Sequence, residues 1–282
     1  MNNVRIALAQ IPSKIGDVRK NTQHHIEILR QVAKESVDFV CFPELSLTGY
    51  LMKDVAYEVA TECSKSLTKI ARETKINQRA VVGFVRENDL GFVQNAAATL
   101  GNGKLLGSTA KFYLPTYGLF EETRYFAGGN PKTDLKVFES PACRFGIVVC
   151  EDAWHPEPIE ALARLGADLV FCIASSPAKG IVESNSERGL PIEEQWMSLL
   201  KAHALMNTIF VVFVNRSGPE DEEYFWGGSA VISPSGKTIT KAKRFESDLL
   251  ISEIDLDEIK RARRFTSFRD HNVRLHEVLI EL

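Results

Sequence analysis

Apolar runs alternate with amphipathic stretches along most of the chain. VRIALA (residues 4–9) has strand length, and over residues 17–35 Val18, Ile28, Leu29, Val32 and Ala33 fall roughly on one helical face. VDFVCF (37–42) predicts the next strand. Across residues 56–72, Ala56, Val59, Ala60, Cys63, Leu67, Ile70 and Ala71 recur at three- and four-residue steps, which predicts a helix. AVVGFV, GFVQNAAATL and KLLGSTAKF follow. Turn chemistry at 87–91 and 101–103 separates them, so they predict an antiparallel meander. Further strands are predicted at 137–138, 144–149, 169–174, 209–215, 229–233 and 249–254. Helices are predicted over 157–165 and 192–207, with a short basic one near 255–264.

Buried-looking strands separated by helices imply an α/β fold, and the meander and late hairpin add antiparallel portions. No linker, low-complexity tract or short-period repeat interrupts the pattern. The expectation is a four-layer α-β-β-α sandwich, helices outside two sheets, in one domain over residues 1–282. PEDEEY (219–224) reads as a solvated loop and KAKR (241–244) as a hairpin turn.

Composition narrows the classes. The chain has 282 residues, 44% hydrophobic and 25% charged, which are ordinary globular values. A net charge of -3 gives no electrostatic reason to expect nucleic acid or an anionic membrane as partner. The apolar run at the start is too short for a signal peptide, and no run reaches transmembrane length. The five cysteines (Cys41, Cys63, Cys143, Cys150 and Cys172) are odd in number and include no C-x-x-C pair. That argues against a disulfide framework and a structural zinc site, and for a reduced, cytoplasmic protein that uses no metal.

Three loop-like sites follow strands, where α/β folds gather function. In FPELSLTGY, Pro43 ends the strand and sets Glu44 at a turn. In STAKFYLPTYGLFEETRYF, Lys111 closes a strand. In RFGIVVCEDAWHPEP, Cys150 ends an apolar run directly before two acids. Taken singly, each residue has a plainer reading: a surface acid, a solvated lysine and a small core thiol. Neighbouring acids also work against a reactive thiolate. Together the three supply a nucleophile, a base for its proton and a cation for an oxyanion, with the lysine offsetting the acids. A neutral thiol hydrogen-bonded to an ionised Glu44 is the expected resting state. His155 lies too near Cys150 in sequence to act easily as its base. His203, near Trp196, Leu199 and Leu200, reads as core or interface.

FPELSLTGY, KFYLPTYGLFEETRYF and VVCEDAWHPE resemble the three catalytic blocks of the nitrilase superfamily of carbon–nitrogen hydrolases. The remainder of the chain is similar in order and spacing, from RIALAQIPSKIGDVRKN to LLISEIDLDEIKRAR. The resemblance implies an α-β-β-α sandwich that commonly dimerises or forms a higher homo-oligomer. It implies a Glu–Lys–Cys triad cleaving a non-peptide C–N bond of a small amide through a thioester, without a cofactor. On that basis Glu44 is the general base, Lys111 the transition-state cation and Cys150 the nucleophile. The Glu151 N–H is a second oxyanion donor. An accessory glutamate follows the lysine block, and Glu122 is preferred to Glu121.

In detail the motifs are similar to the glutamine-hydrolysing domain of glutamine-dependent NAD synthetases. That likeness implies Tyr117 and Ser176 at the substrate. Two departures bear on substrate identity: FCIASSP lacks the asparagine often found before Ser-Pro, and Met206 stands where amidase relatives usually carry a glutamate. No SGG-type pyrophosphate loop is present for ATP chemistry, so a complete NAD synthetase is not expected. The expected activity is amide hydrolysis. The alternatives are hydrolysis of an N-carbamoyl compound, or a glutaminase-type subunit supplying ammonia to a separate synthetase.

Overall fold

The computed structural model describes residues 3–178 and 190–265. Its first sheet runs β1 (Asn3–Gln10), β2 (Phe39–Cys41), β3 (Arg79–Glu87), β4 (Val93–Gly101) and β5 (Lys104–Ala110). The first three pair in parallel and the last two antiparallel. The second sheet repeats this order. β6 (Phe138–Glu139) forms an edge, and β7 (Arg144–Val149), β8 (Leu169–Ala174) and β9 (Phe210–Asn215) are parallel. A hairpin of β10 (Ser217–Glu220) and β11 (Glu223–Trp226) then leaves the sheet. β12 (Ala230–Ile232) and β13 (Thr238–Lys241) complete it in antiparallel fashion. β14 (Asp248–Asp255) returns to the first sheet and pairs with β1 from Asn3↔Asp255 to Gln10↔Asp248.

Parallel neighbours need crossovers, and helices provide them. α1 (Val18–Val32) and α2 (Ala56–Ala71) connect the parallel strands of the first sheet. The short α3 (Glu122–Tyr125) and α4 (Pro131–Asp134) lie between the two sheets in sequence. α5 (Pro156–Arg164) and α6 (Pro191–Asn207) serve the second sheet, and α7 (Asp257–Phe265) follows β14. Asp17 starts α1 by accepting the Lys20 N–H, a side-chain cap at the place where the hydrophobic period begins.

Strand alternation divides the interior in two. On the first sheet Ile6, Leu8, Phe39, Cys41 and Val81 face the second sheet, where Phe39 meets Phe145 and Phe171. Their neighbours Ala7, Ala9, Val40, Phe42, Ala80 and Val82 face the opposite way and pack with α1 and α2. Outside the second sheet, Ile159, Leu162, Trp196 and Leu200 of α5 and α6 cover it. The expected α-β-β-α sandwich is thus present. Among the described residues, no helix is long and apolar enough to cross a membrane.

Three expectations change. β2 is shorter than predicted, because Asp38 spends its carboxylate on the Arg5 N–H (2.8 Å) and Pro43 closes the other end. PEDEEY is a hairpin, not a solvated loop. Arg216, just ahead of it, is fully buried and meets the equally buried Glu220 at 2.6 Å, so an acid that composition puts in water is inside. KAKR is not the turn of its hairpin, which lies at Ser233 and Gly236 (2.9 Å between them). Lys241 instead ends β13 and joins Arg244 in ion pairs to Glu193, buried in the first turn of α6.

Candidate active site

Glu44, Lys111 and Cys150 each stand just after a strand ends. Glu44 lies in a tight turn after β2 that rests on β3. A Cβ on Gly83 would stand 2.2 Å from the Pro43 carbonyl and 2.4 Å from the Leu45 N–H nitrogen, so only glycine lets the turn close on the strand. His25 of α1 supports the turn from the other side, with Nε2 2.9 Å from Ser46 Oγ. Burial brings its pKa down to about 3, so it serves as a neutral packing group. Glu44 itself is fully buried, against the surface reading of a lone acid. Its Oε1 accepts from Asn95 Nδ2 (2.7 Å) and Lys111 Nζ (2.8 Å), and its Oε2 accepts from the Ser175 N–H (2.7 Å).

Lys111 is also fully buried, not solvated. Its backbone is fixed on both sides: its N–H donates to Asn95 O, and its carbonyl accepts from Gly129, each at 2.8 Å. The ammonium donates to Glu44 and, at 2.7 Å, to Glu122 Oε1. Burial opposes its charge, but Glu122 and then Glu44 hold its pKa well above the ordinary lysine range. Glu122, the preferred accessory glutamate, is buried, while Glu121 is exposed. Burial pushes the Glu122 carboxyl upward, against the downward pull of Lys111. Tyr50 OH donates to the same Oε1 of Glu122.

Cys150 follows β7 with φ of 49°, a left-handed conformation that non-glycine residues seldom adopt. Asp152 braces this turn. Its Oδ2 accepts the Val149 N–H (3.1 Å), and its Oδ1 accepts those of Phe112 and Tyr113 (both 2.9 Å). One buried carboxylate therefore ties the backbone after Lys111 to the backbone before Cys150. Burial pushes its pKa up to about 7, although those N–H donors favour the charged form. The Cys150 thiol is held well above its usual range, first by burial and then by Glu44, and Lys111 only partly offsets them. The thiol is therefore neutral. Its expected hydrogen bond to Glu44 is not formed; the carboxylate accepts from Asn95 and Lys111 at Oε1 and from Ser175 at Oε2, which leaves acceptor capacity on Oε2 for a proton.

The thiol opens into a cavity of about 390 Å³ walled by Tyr117, Glu151, Trp154, Ser176, Gln195 and Trp196, among others. Tyr117 is more than half exposed, and its hydroxyl donates to Glu151 Oε2 at 2.8 Å. Ser176 Oγ accepts the indole N–H groups of Trp196 (2.9 Å) and Trp226 (3.2 Å). It can therefore offer a ligand its hydroxyl proton rather than a lone pair. His155 is stacked on Tyr113 with ring centroids 3.6 Å apart. His203 is buried and bonded to Ala153 O at 2.9 Å, which is a core role. Among the described residues, no group of three or more His, Cys, Asp and Glu is placed to hold a metal ion.

Sequence reasoning missed Asn95, Ser175, Tyr50 and Asp152 as parts of this cluster. A signal existed for Asn95, a polar residue inside the apolar run GFVQNAAATL. For Asp152 it lay in the quoted block itself.

Residues 5–264 match the family model described as carbon-nitrogen hydrolase. A glutamine-dependent NAD(+) synthetase from Aquifex aeolicus is 34% identical over 266 residues, covering 92% of this chain and 44% of that protein. The chain thus spans less than half the length of that relative. An N-carbamoylputrescine amidase from Solanum lycopersicum is 30% identical over 213 residues, covering 71% of this chain and 68% of that protein. The crystal structure of a carbon-nitrogen hydrolase from Helicobacter pylori superposes with a TM-score of 0.86 at 22% identity. It covers 99% of this chain and 98% of that one, a likeness of fold. The family model and these identities make the chain a member of the carbon–nitrogen hydrolase family, an enzyme acting on carbon–nitrogen bonds other than peptide bonds.

Proposed function

We propose that Cys150 is the nucleophile of a small-amide hydrolase, with Glu44 as its base and Lys111 as its cation. One observation carries this reading: a thiol at a cavity floor is backed by a buried carboxylate and ammonium paired at 2.8 Å. Glu44 takes the Cys150 proton as sulfur adds to the substrate carbonyl. The oxyanion is stabilised by Lys111 and by the Glu151 N–H. Glu44 then gives the proton to the departing nitrogen, and ammonia or an amine leaves with the C–N bonding pair. Water, deprotonated by Glu44, adds to the thioester and returns the thiol. Glu122 keeps Lys111 charged and placed. Tyr117 and Ser176 contact the substrate.

The N-carbamoyl alternative is supported by the match to N-carbamoylputrescine amidase over two thirds of that protein. The glutaminase alternative, with ammonia passed to a separate synthetase, is supported by the identity to the NAD synthetases. Five unpaired, buried thiols support a reducing, cytoplasmic setting, and the family resemblance supports a homodimer. The test is a panel of glutamine, other ω-amides and N-carbamoyl compounds, read by ammonia release and by intact-protein mass. Turnover with an acyl adduct on Cys150 is expected. No turnover on any member, with no adduct, would sink the proposal.

A further inference from the structure

The hairpin β10–β11 has no part in the chemistry above, yet its buried acid reaches the catalytic cluster through one loop. Arg216 is fully buried. Its Nη1 lies 2.6 Å from Glu220 Oε2, its Nη2 donates to Ser13 O (2.8 Å), and its guanidinium sits 4.6 Å from the Phe225 ring centroid. Glu220 Oε1 accepts two backbone N–H groups, from Tyr50 (2.8 Å) and Leu51 (2.7 Å). The carboxylate comes so close that a Cβ on Gly49 would stand 2.6 Å from Glu220 Oε2, at a φ of 85° that already favours glycine. The Tyr50 ring is then wedged between Phe120 and Phe225, with centroids 6.2 and 6.1 Å away, and its hydroxyl meets Glu122. Glu122 Oε2 has no hydrogen-bond partner, so the whole carboxylate is oriented through Oε1, which Tyr50 and Lys111 share.

We propose that Glu220 and Tyr50 are positioning residues for the reaction: Glu220, anchored by Arg216, fixes the loop 49–51 so that the Tyr50 hydroxyl orients Glu122 and, through it, the Lys111 ammonium. The proposal rests on the reading of Lys111 as the transition-state cation. Packing alone would account for a buried tyrosine ring, but not for a hydroxyl placed on the carboxylate that holds the lysine. The groups facing Glu122 are Lys111, Glu44 and Tyr50, and the Tyr50 hydrogen bond favours the ionised carboxylate. Removing that donor moves the Glu122 titration to higher pH.

Tyr50→Phe keeps the ring and deletes the donor, and Tyr224→Phe on the same hairpin is the control. With the fastest substrate of the panel, Tyr50→Phe should lower kcat about 10- to 100-fold with KM within about twofold, since small misplacements of a catalytic group cost rates of this order. The acidic limb of its kcat profile should move up by about one pH unit, the scale set by losing a hydrogen bond to a charged group. Tyr224→Phe should match wild type. Glu220→Gln should shift the limb in the same direction if it folds, as judged by circular dichroism. Tyr50→Phe tests the proposal whether or not it does. A wild-type kcat in Tyr50→Phe, or a loss with an unmoved limb, overturns the proposal while Lys111→Met is inactive. If Lys111→Met retains turnover, the reading of Lys111 itself falls, and the positioning role with it.

Discussion

At the scale of single residues, Cys150→Ala removes a sulfur whose partners hold one another without it. Glu44 keeps its bonds to Asn95, Lys111 and Ser175, so turnover should vanish while the unfolding midpoint changes little. Alkylation followed by peptide mapping should mark Cys150 ahead of the other four thiols, because only Cys150 lines the cavity. Lys111→Met is expected to cost at least about 10²–10³ in kcat, the loss seen on removing one oxyanion donor. Steady-state kinetics on the folded variant checks it. Asp152 gives a pH prediction. Its pKa rises from 3.8 to about 7 on folding, so the folded state holds the proton more tightly. The stability it contributes is present at low pH and lost as pH rises through about 7. Urea unfolding at pH 5 and pH 8.5 should show a smaller fall for Asp152→Asn than for wild type. Glu122, raised in the same direction, leaves part of the slope. Glu44, Lys111 and Cys150 stand out in the sequence as strand-end groups of complementary chemistry, whereas Glu122 stands out only through the family resemblance. The roles of Ser175 and Tyr50 come from sheet register and loop docking, which one-dimensional spacing does not encode.

At the scale of elements, the turn carrying Glu44 depends on a strand it does not belong to. Gly83→Ala would drive a methyl group into the Pro43 carbonyl and push the turn off β3. Such overpacking should cost about 1–3 kcal/mol in denaturant unfolding. Turnover should fall further than stability, because Glu44 moves with the turn. Most strands and helices were legible to within a few residues from hydrophobic period, as with β8 and α2. The charged segments were not. PEDEEY looks solvated by composition, but Arg216, four residues before Glu220 and just ahead of the same strand, gives that acid a buried partner. KAKR looks like a turn, but Lys241 and Arg244 converge on Glu193 from a distant helix. Charge predicts water only when no opposite charge is waiting inside.

At the scale of the whole molecule, the two sheets follow one plan: three parallel strands, then two antiparallel ones, with an extra antiparallel strand at the far edge. That extra strand in the first sheet is β14, which covers all eight residues of β1 although more than two hundred residues separate them in the chain. A chain is made in order, and the ribosome adds roughly 5–20 residues per second. β1 therefore emerges early and waits on the order of ten seconds to a minute before its outer neighbour exists. Throughout that interval an apolar strand offers a full row of unpaired amide groups to any other growing copy, the geometry that seeds edge-to-edge aggregation. Slowed elongation after β13 should reduce soluble yield, and a chaperone that shields nascent chains should restore it.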